Sequence, residues 1–179
     1  MEWRRLGEVL GVGGVSGGGW VRWAPVVGVA AGIFLTGLIS ARLVQGGEGL
    51  VLVASMGASA VLVFGAPASP FAQPWAVVMG HMVSALSGCL VVRWIDAGLV
   101  GGALAVGLAM AAMLVFRCVH PPGGSTALAV VLSGMHGAPR GFAFALNPVF
   151  LNALVLVLTG VVWHRWVGTA HYPSGWKRG

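Results

Sequence analysis

The stretch "FRCVHPPGGSTALAVVL", residues 116–132, sets a histidine, two consecutive prolines and two glycines inside an otherwise apolar chain. Proline and glycine break helices, and a break is costly wherever no water can satisfy the freed backbone groups. The surroundings are of that kind. Of the 179 residues, 58% are hydrophobic and 8% are charged, whereas an average soluble domain carries about a quarter charged residues. Residues 49–92 contain no Lys, Arg, Asp or Glu, and a bilayer-spanning helix needs roughly 20 mostly apolar residues. The chain therefore reads as a polytopic, all-α membrane protein.

The net charge of +6 does not point to nucleic acid. The ten basic residues stand singly or in pairs near the ends of apolar segments, as interfacial anchors and the positive-inside rule place them. The acids Glu2, Glu8, Glu48 and Asp96 all lie outside the long apolar runs. Cys89 and Cys118 fall in or beside expected spans and imply buried packing rather than a disulfide framework. The N-terminal residues 1–22 carry acids and then a glycine-rich stretch, unlike a signal peptide, and read as a cytoplasmic or interfacial arm.

Six apolar stretches follow. They cover 24–44, 50–65, 75–92, 97–116, 122–134 and 148–166, with a turn-rich "APASPFAQP" at 66–74 whose prolines argue against regular structure. The second and fifth are short, reaching only about 24 and 20 Å against a hydrocarbon core of about 30 Å. The expected fold is four full spanning helices plus two short, half or re-entrant ones, arranged as two related halves. Repeat one covers about 24–95 and repeat two about 97–167 of a transmembrane domain at 23–168, with a short cytoplasmic tail at 169–179. "GASAVLVFG" from Gly57 resembles "GGSTALAVV" from Gly123, and Gln73-Pro74 and Asn147-Pro148 open the next helix in each half. Paired short helices of this kind point to a transport site near the midplane. The basic residues place both termini in the cytoplasm whether the short segments cross or re-enter, in a bacterial inner membrane. Trp163, Trp166, Tyr172 and Trp176 read as an interfacial aromatic belt.

The candidate site follows from these elements. Pro122 fits the first position of a helix, where a missing N–H leaves nothing unpaired. Gly123, Gly124, Ser125 and Thr126 then offer N–H and hydroxyl donors at a helix N-terminus, a ready anion site. His120 adds a titratable donor and Arg117 a fixed charge, although an arginine at a helix end can also simply reach the interface. In the first half the matching part is "SMGAS", with Ser59 and Gly57 as candidates against ordinary close packing of small residues. His81, mid-way along the third segment, faces the interior or a water path. Gln73, Asn147 and Asn152 either line that path or, for the two before proline, cap the following helix. All these groups donate or share hydrogen bonds, and the acids lie elsewhere. A phosphate loop, a metal-ligand spacing and an acid-containing catalytic set are all missing from the sequence, so neither an enzyme, a cofactor nor a metal is expected.

"RCVHPPGGSTAL" together with "SMGASAVLVFGAPASPFAQPWAVVMGHMVSAL" resembles the HPP family of integral membrane proteins over roughly residues 24–168. The resemblance implies a small helical membrane protein with four spanning helices, and some members are described as nitrite transporters. Its motif residues map onto His120, Pro121, Pro122, Gly124, Ser125 and Thr126, and onto Gly57, Ala58, Ser59, Gln73, Pro74 and His81. Trp75 departs from the polar or basic residue that the resemblance leads one to expect after Gln-Pro. The expected function is a passive or proton-linked permease for a small monovalent inorganic anion, nitrite being favoured. Its partners would be the lipid bilayer and, through Gly- and Ala-rich faces, a second copy as a dimer. The alternative from another class is a membrane scaffold or sensor that binds an ion or a partner protein and moves nothing. A channel for neutral molecules is the third.

Overall fold

The computed structural model of the chain describes residues 19–43, 48–95, 98–136, 141–168 and 170–175. Among them six α-helices follow one another: α1 (Trp20–Leu43), α2 (Glu48–Gly65), α3 (Pro74–Trp94), α4 (Leu99–Val115), α5 (Pro122–Met135) and α6 (Leu151–Val167). No strand occurs among the described residues. Three helical stretches are long and apolar enough to cross a bilayer: Trp20–Arg42, Pro74–Trp94 and Ala145–Val167. Four were expected. The difference lies in α4, whose 17 residues reach about 26 Å and fall short of the hydrocarbon thickness.

The prolines explain where helices begin. Pro74 and Pro122 occupy the first turn of α3 and α5, and Pro70 opens a 3₁₀ turn, Pro70–Ala72, within the stretch expected to be irregular. The Ser69 hydroxyl oxygen accepts from the Phe71 N–H at 3.3 Å and holds that turn. Pro148 opens a helical run in the same way. Asn147 is extended at φ −134°, ψ 112°, so the short turn before it ends there, and the helical run that continues into α6 takes up at Pro148. At the other end of the chain α1 starts at Trp20, so Trp20–Arg22 are helical rather than part of an arm; residues 1–18 lie outside the described set.

α3 is the central helix, packed against α4, α5, α6 and the Ala145–Phe150 segment before α6, while α1 pairs with α2 and α6. Small residues bring α3 and α5 together: a Cβ on Gly88 would stand 2.8 Å from the Ala127 carbonyl oxygen and from Val130 Cβ. In a membrane such close approach is what holds helices, since lipid supplies no hydrophobic gain for their association. Met56, Val63, Phe64, Val77, Val130, Val149 and Leu156 form the principal buried cluster beside this seam. Three hydrogen bonds define one end of the bundle. Trp75 Nε1 donates to the Phe116 carbonyl (3.1 Å), His164 Nε2 to the Val63 carbonyl (2.9 Å) and the Tyr172 hydroxyl to the Ala72 carbonyl (2.9 Å). The ends of α2, α4 and α6 meet the starts of α3 and α5 there.

Residues 55–65 and 122–132 are buried, half-buried and exposed in the same order at every position. That order aligns Gly57-Ala58-Ser59-Ala60 with Gly124-Ser125-Thr126-Ala127, one residue from the register the sequence suggested. One residue is about 100° on a helix. The counterpart of Ser59 is therefore Thr126, which is buried, and not Ser125, which is exposed.

Candidate functional site

Ser59 on α2, His81 on α3, Thr126 on α5 and His120 in the turn before α5 are all fully buried. They form one connected chain. Ser59 Oγ lies 2.7 Å from His81 Nε2 and 2.8 Å from His120 Nε2. His81 Nδ1 is 2.7 Å from Thr126 Oγ1, and His120 Nδ1 is 2.7 Å from the Phe71 carbonyl oxygen. The two imidazole centroids are 4.8 Å apart, edge to face. Side chains from α3 and from the turn before α5 thus meet at the Ser59 hydroxyl oxygen of α2, and Thr126 joins through His81.

The partners assign the hydrogens. A carbonyl oxygen only accepts, so His120 Nδ1 carries the proton and donates to Phe71. With His120 neutral, its Nε2 accepts the Ser59 hydroxyl hydrogen. Ser59 has no second hydrogen, so His81 Nε2–H donates to Ser59, and His81 Nδ1 accepts from Thr126. Each member is satisfied in one direction along the chain. The Ser55 carbonyl, 3.2 Å from Ser59 Oγ, offers that hydroxyl hydrogen a second acceptor.

Glycines make room for the rings. A Cβ on Gly80 would stand 2.6 Å from His120 Cβ and 2.8 Å from the Cys118 carbonyl, and one on Gly123 would stand 2.6 Å from Ser84 Oγ. Ser84 Oγ is buried and has no hydrogen-bond partner among the described residues. The start of α5 is not an open donor cradle. Gly123 N–H bonds the His120 carbonyl at 2.8 Å and Gly124 N–H bonds the Pro121 carbonyl at 3.1 Å, so both are already engaged.

The other expected residues are dispersed. Ser125, Arg117 and Asn147 are exposed and Gly57 is half-buried with open space around it. Arg117 takes φ 52° in the turn after α4. Asn152 is buried but reaches Ser40 Oγ at 3.3 Å, linking α6 to α1 away from the chain. Gln73 does not cap α3 with its side chain. It braces the loop instead, donating from Nε2 to the Pro67 and Ser69 carbonyls (2.9 and 2.8 Å) while Oε1 accepts from the Ser174 N–H (2.9 Å). Trp75, the departure from the family pattern, ties the start of α3 to the end of α4. Cys89 and Cys118 are free and buried.

The sequence missed the brace at the loop end. Tyr172, expected in an aromatic belt, is buried against His164, with ring centroids 5.5 Å apart, and bonds the Ala72 carbonyl. Trp176 of that belt lies outside the described residues, while Trp166 is exposed. Burial pushes the Tyr172 phenol up, which keeps it a donor. Together with Gln73 it fixes the segment that presents the Phe71 carbonyl to His120. Tyr172→Phe should lower stability by about 1 kcal/mol, seen as a melting shift of about 2–4 °C in detergent; an unchanged melting temperature would show that the hydroxyl carries no such load.

A helical bundle with three spanning stretches and a buried polar centre is an integral membrane protein. The family model described as "HPP, transmembrane region" matches residues 19–173, and the chain belongs to that family. Two transmembrane proteins of Dictyostelium discoideum are similar to it. One is 38% identical over 149 residues, covering 81% of this chain and 52% of the relative; the other is 39% identical over 149 residues, covering 81% and 48%. The chain thus spans about half the length of the curated relatives it matches. No solved structure matches it.

Proposed function

We propose that the protein is a membrane permease for a small monovalent inorganic anion, nitrite being the favoured example, with its site at the Ser59–His81–His120–Thr126 chain. The observation that carries this is the burial of two histidines in one hydrogen-bonded set whose side chains contain no carboxylate. Ionisable groups inside a membrane domain are expensive and mark a pathway by default. Hydroxyl and imidazole donors replace an anion's hydration shell, whereas a cation site would need carboxylates or free carbonyls. Relative to the sequence reading, the site moves from helix N–H groups to side chains, because Gly123 and Gly124 are already bonded.

The set is sealed, and a transporter must open it while a scaffold need not. Nitrite uptake into sealed liposomes separates the two. His120→Ala is expected to lower saturable uptake by about 100-fold or more and Thr126→Val to lower it as well, while Ser125→Ala, at an exposed position of α5, keeps the rate of the parent protein. Absence of uptake above empty liposomes would remove the permease reading and leave the scaffold.

A further inference from the structure

Among the described residues, the surroundings of the histidine pair hold no compensating charge. Ser59 and the Ser55 carbonyl behind it face the pair from α2, Met113 from α4, the Cys118 carbonyl from the turn after α4 and Thr126 from α5, with the Phe71 carbonyl at the loop end and Ser84 Oγ near Gly123. Burial pushes the Cys118 thiol up, so it stays neutral. Arg117, three residues from His120, is exposed, and Arg93 lies exposed at the far end of α3. An anion entering here has only the imidazoles to neutralise it, and an unneutralised charge in such an interior is prohibitive.

Ser59 lets the pair hold an extra proton without moving a heavy atom. In the neutral set its hydroxyl hydrogen points to His120 Nε2. When His120 Nε2 is also protonated, Ser59 Oγ accepts from both imidazoles, and its hydrogen turns to the Ser55 carbonyl at 3.2 Å. Two lone pairs and one rotatable hydrogen suffice for both states.

We propose, resting on the permease reading, that His120 passes a proton to each anion, making the protein an electroneutral proton–anion symporter for conjugate bases of weak acids. A hydronium ion from the aqueous phase gives its proton to the lone pair on His120 Nε2, leaving water. The anion takes the place of the Phe71 carbonyl at Nδ1. The Nδ1–H bond then breaks, its electron pair stays on nitrogen, and an O–H bond forms on the anion. The neutral acid leaves and ionises on the far side, releasing the proton to water. Nδ1 then takes a proton from water as Nε2 returns one to water, which restores the resting tautomer, with Nδ1–H on the Phe71 carbonyl and Nε2 free for the next proton. Nitrite and formate can complete this cycle. Nitrate and chloride do not accept a proton from imidazolium and would have to leave as bare charges.

The test uses the full chain in liposomes loaded with a pH-sensitive dye, with the membrane potential clamped by valinomycin and potassium gradients. Nitrite addition should acidify the interior by one proton per nitrite, over empty liposomes, at a rate equal under positive and negative potential. Nitrate and chloride should give no flux. Nitrite entry without acidification, entry that follows the potential, or nitrate flux equal to nitrite flux overturns the symport and leaves the permease standing. Absence of any nitrite entry overturns both.

Discussion

Ser59→Ala is expected to reduce nitrite-driven acidification of liposomes by about 100-fold, the lower part of the range for a positioned proton-transfer group. Among the described residues, Ser59 Oγ bonds both His81 Nε2 and His120 Nε2. Without it, two ring nitrogens face an apolar methyl group, and neither can settle the other's tautomer. Leaving such buried groups unmatched also costs about 1–3 kcal/mol. The substitution is small, however, and α2 keeps its packing through Met56, Ala60 and Val63. A folded, monodisperse variant that has lost flux would place the effect on the hydroxyl. A folded variant with parental acidification would remove Ser59 from the mechanism.

The parts of this centre differ in how far sequence could reveal them. His81, His120 and Ser59 were legible because a polar residue in an apolar segment has few bland explanations. Proline placement gave the starts of α3 and α5, since a residue without an N–H fits where that group would be orphaned. Pro148 marks the last helix in the same way, since Asn147 before it is extended and the helical run resumes at the proline. Thr126 and Ser125 were confused because two adjacent hydroxyl residues differ only in helix phase, which becomes visible once the burial of residues 122–132 is laid over that of 55–65.

The Phe71 carbonyl left no trace in the sequence at all. A backbone acceptor has no residue type to announce it, and here it depends on Gln73 and Tyr172, a hundred positions apart, bracing the same loop. Gln73 was noticed, but as a liner of the pathway or a cap of α3; its three hydrogen bonds all go to backbone groups of the loop and of Ser174. The anion-site reading of α5 failed in its detail for a related reason. Glycines at a helix start suggest free N–H groups, yet the turn made by His120, Pro121 and Pro122 folds back to bond them.

Gly80→Ala and Gly57→Ala should separate sharply, although both glycines belong to the motifs that carry the family resemblance. At Gly80 the new methyl would stand 2.6 Å from His120 Cβ and 2.8 Å from the Cys118 carbonyl oxygen. The first is the root of a side chain held at both nitrogens and the second is backbone, so neither can yield by a rotamer change. Overpacking of this kind costs about 1–3 kcal/mol, occasionally more. Here it also pushes His120 away from Ser59, so proton-coupled flux should fall with stability. At Gly57 nothing lies within 4 Å of the added methyl. Alanine is favoured over glycine inside a helix by about 1 kcal/mol, so Gly57→Ala should melt slightly higher and transport nitrite at the parental rate. Melting temperature and uptake measured on the two variants side by side check both halves of the expectation. Equal loss of flux in both would mean that Gly57 lies on the path of the anion and that the site extends along α2 beyond the four buried side chains.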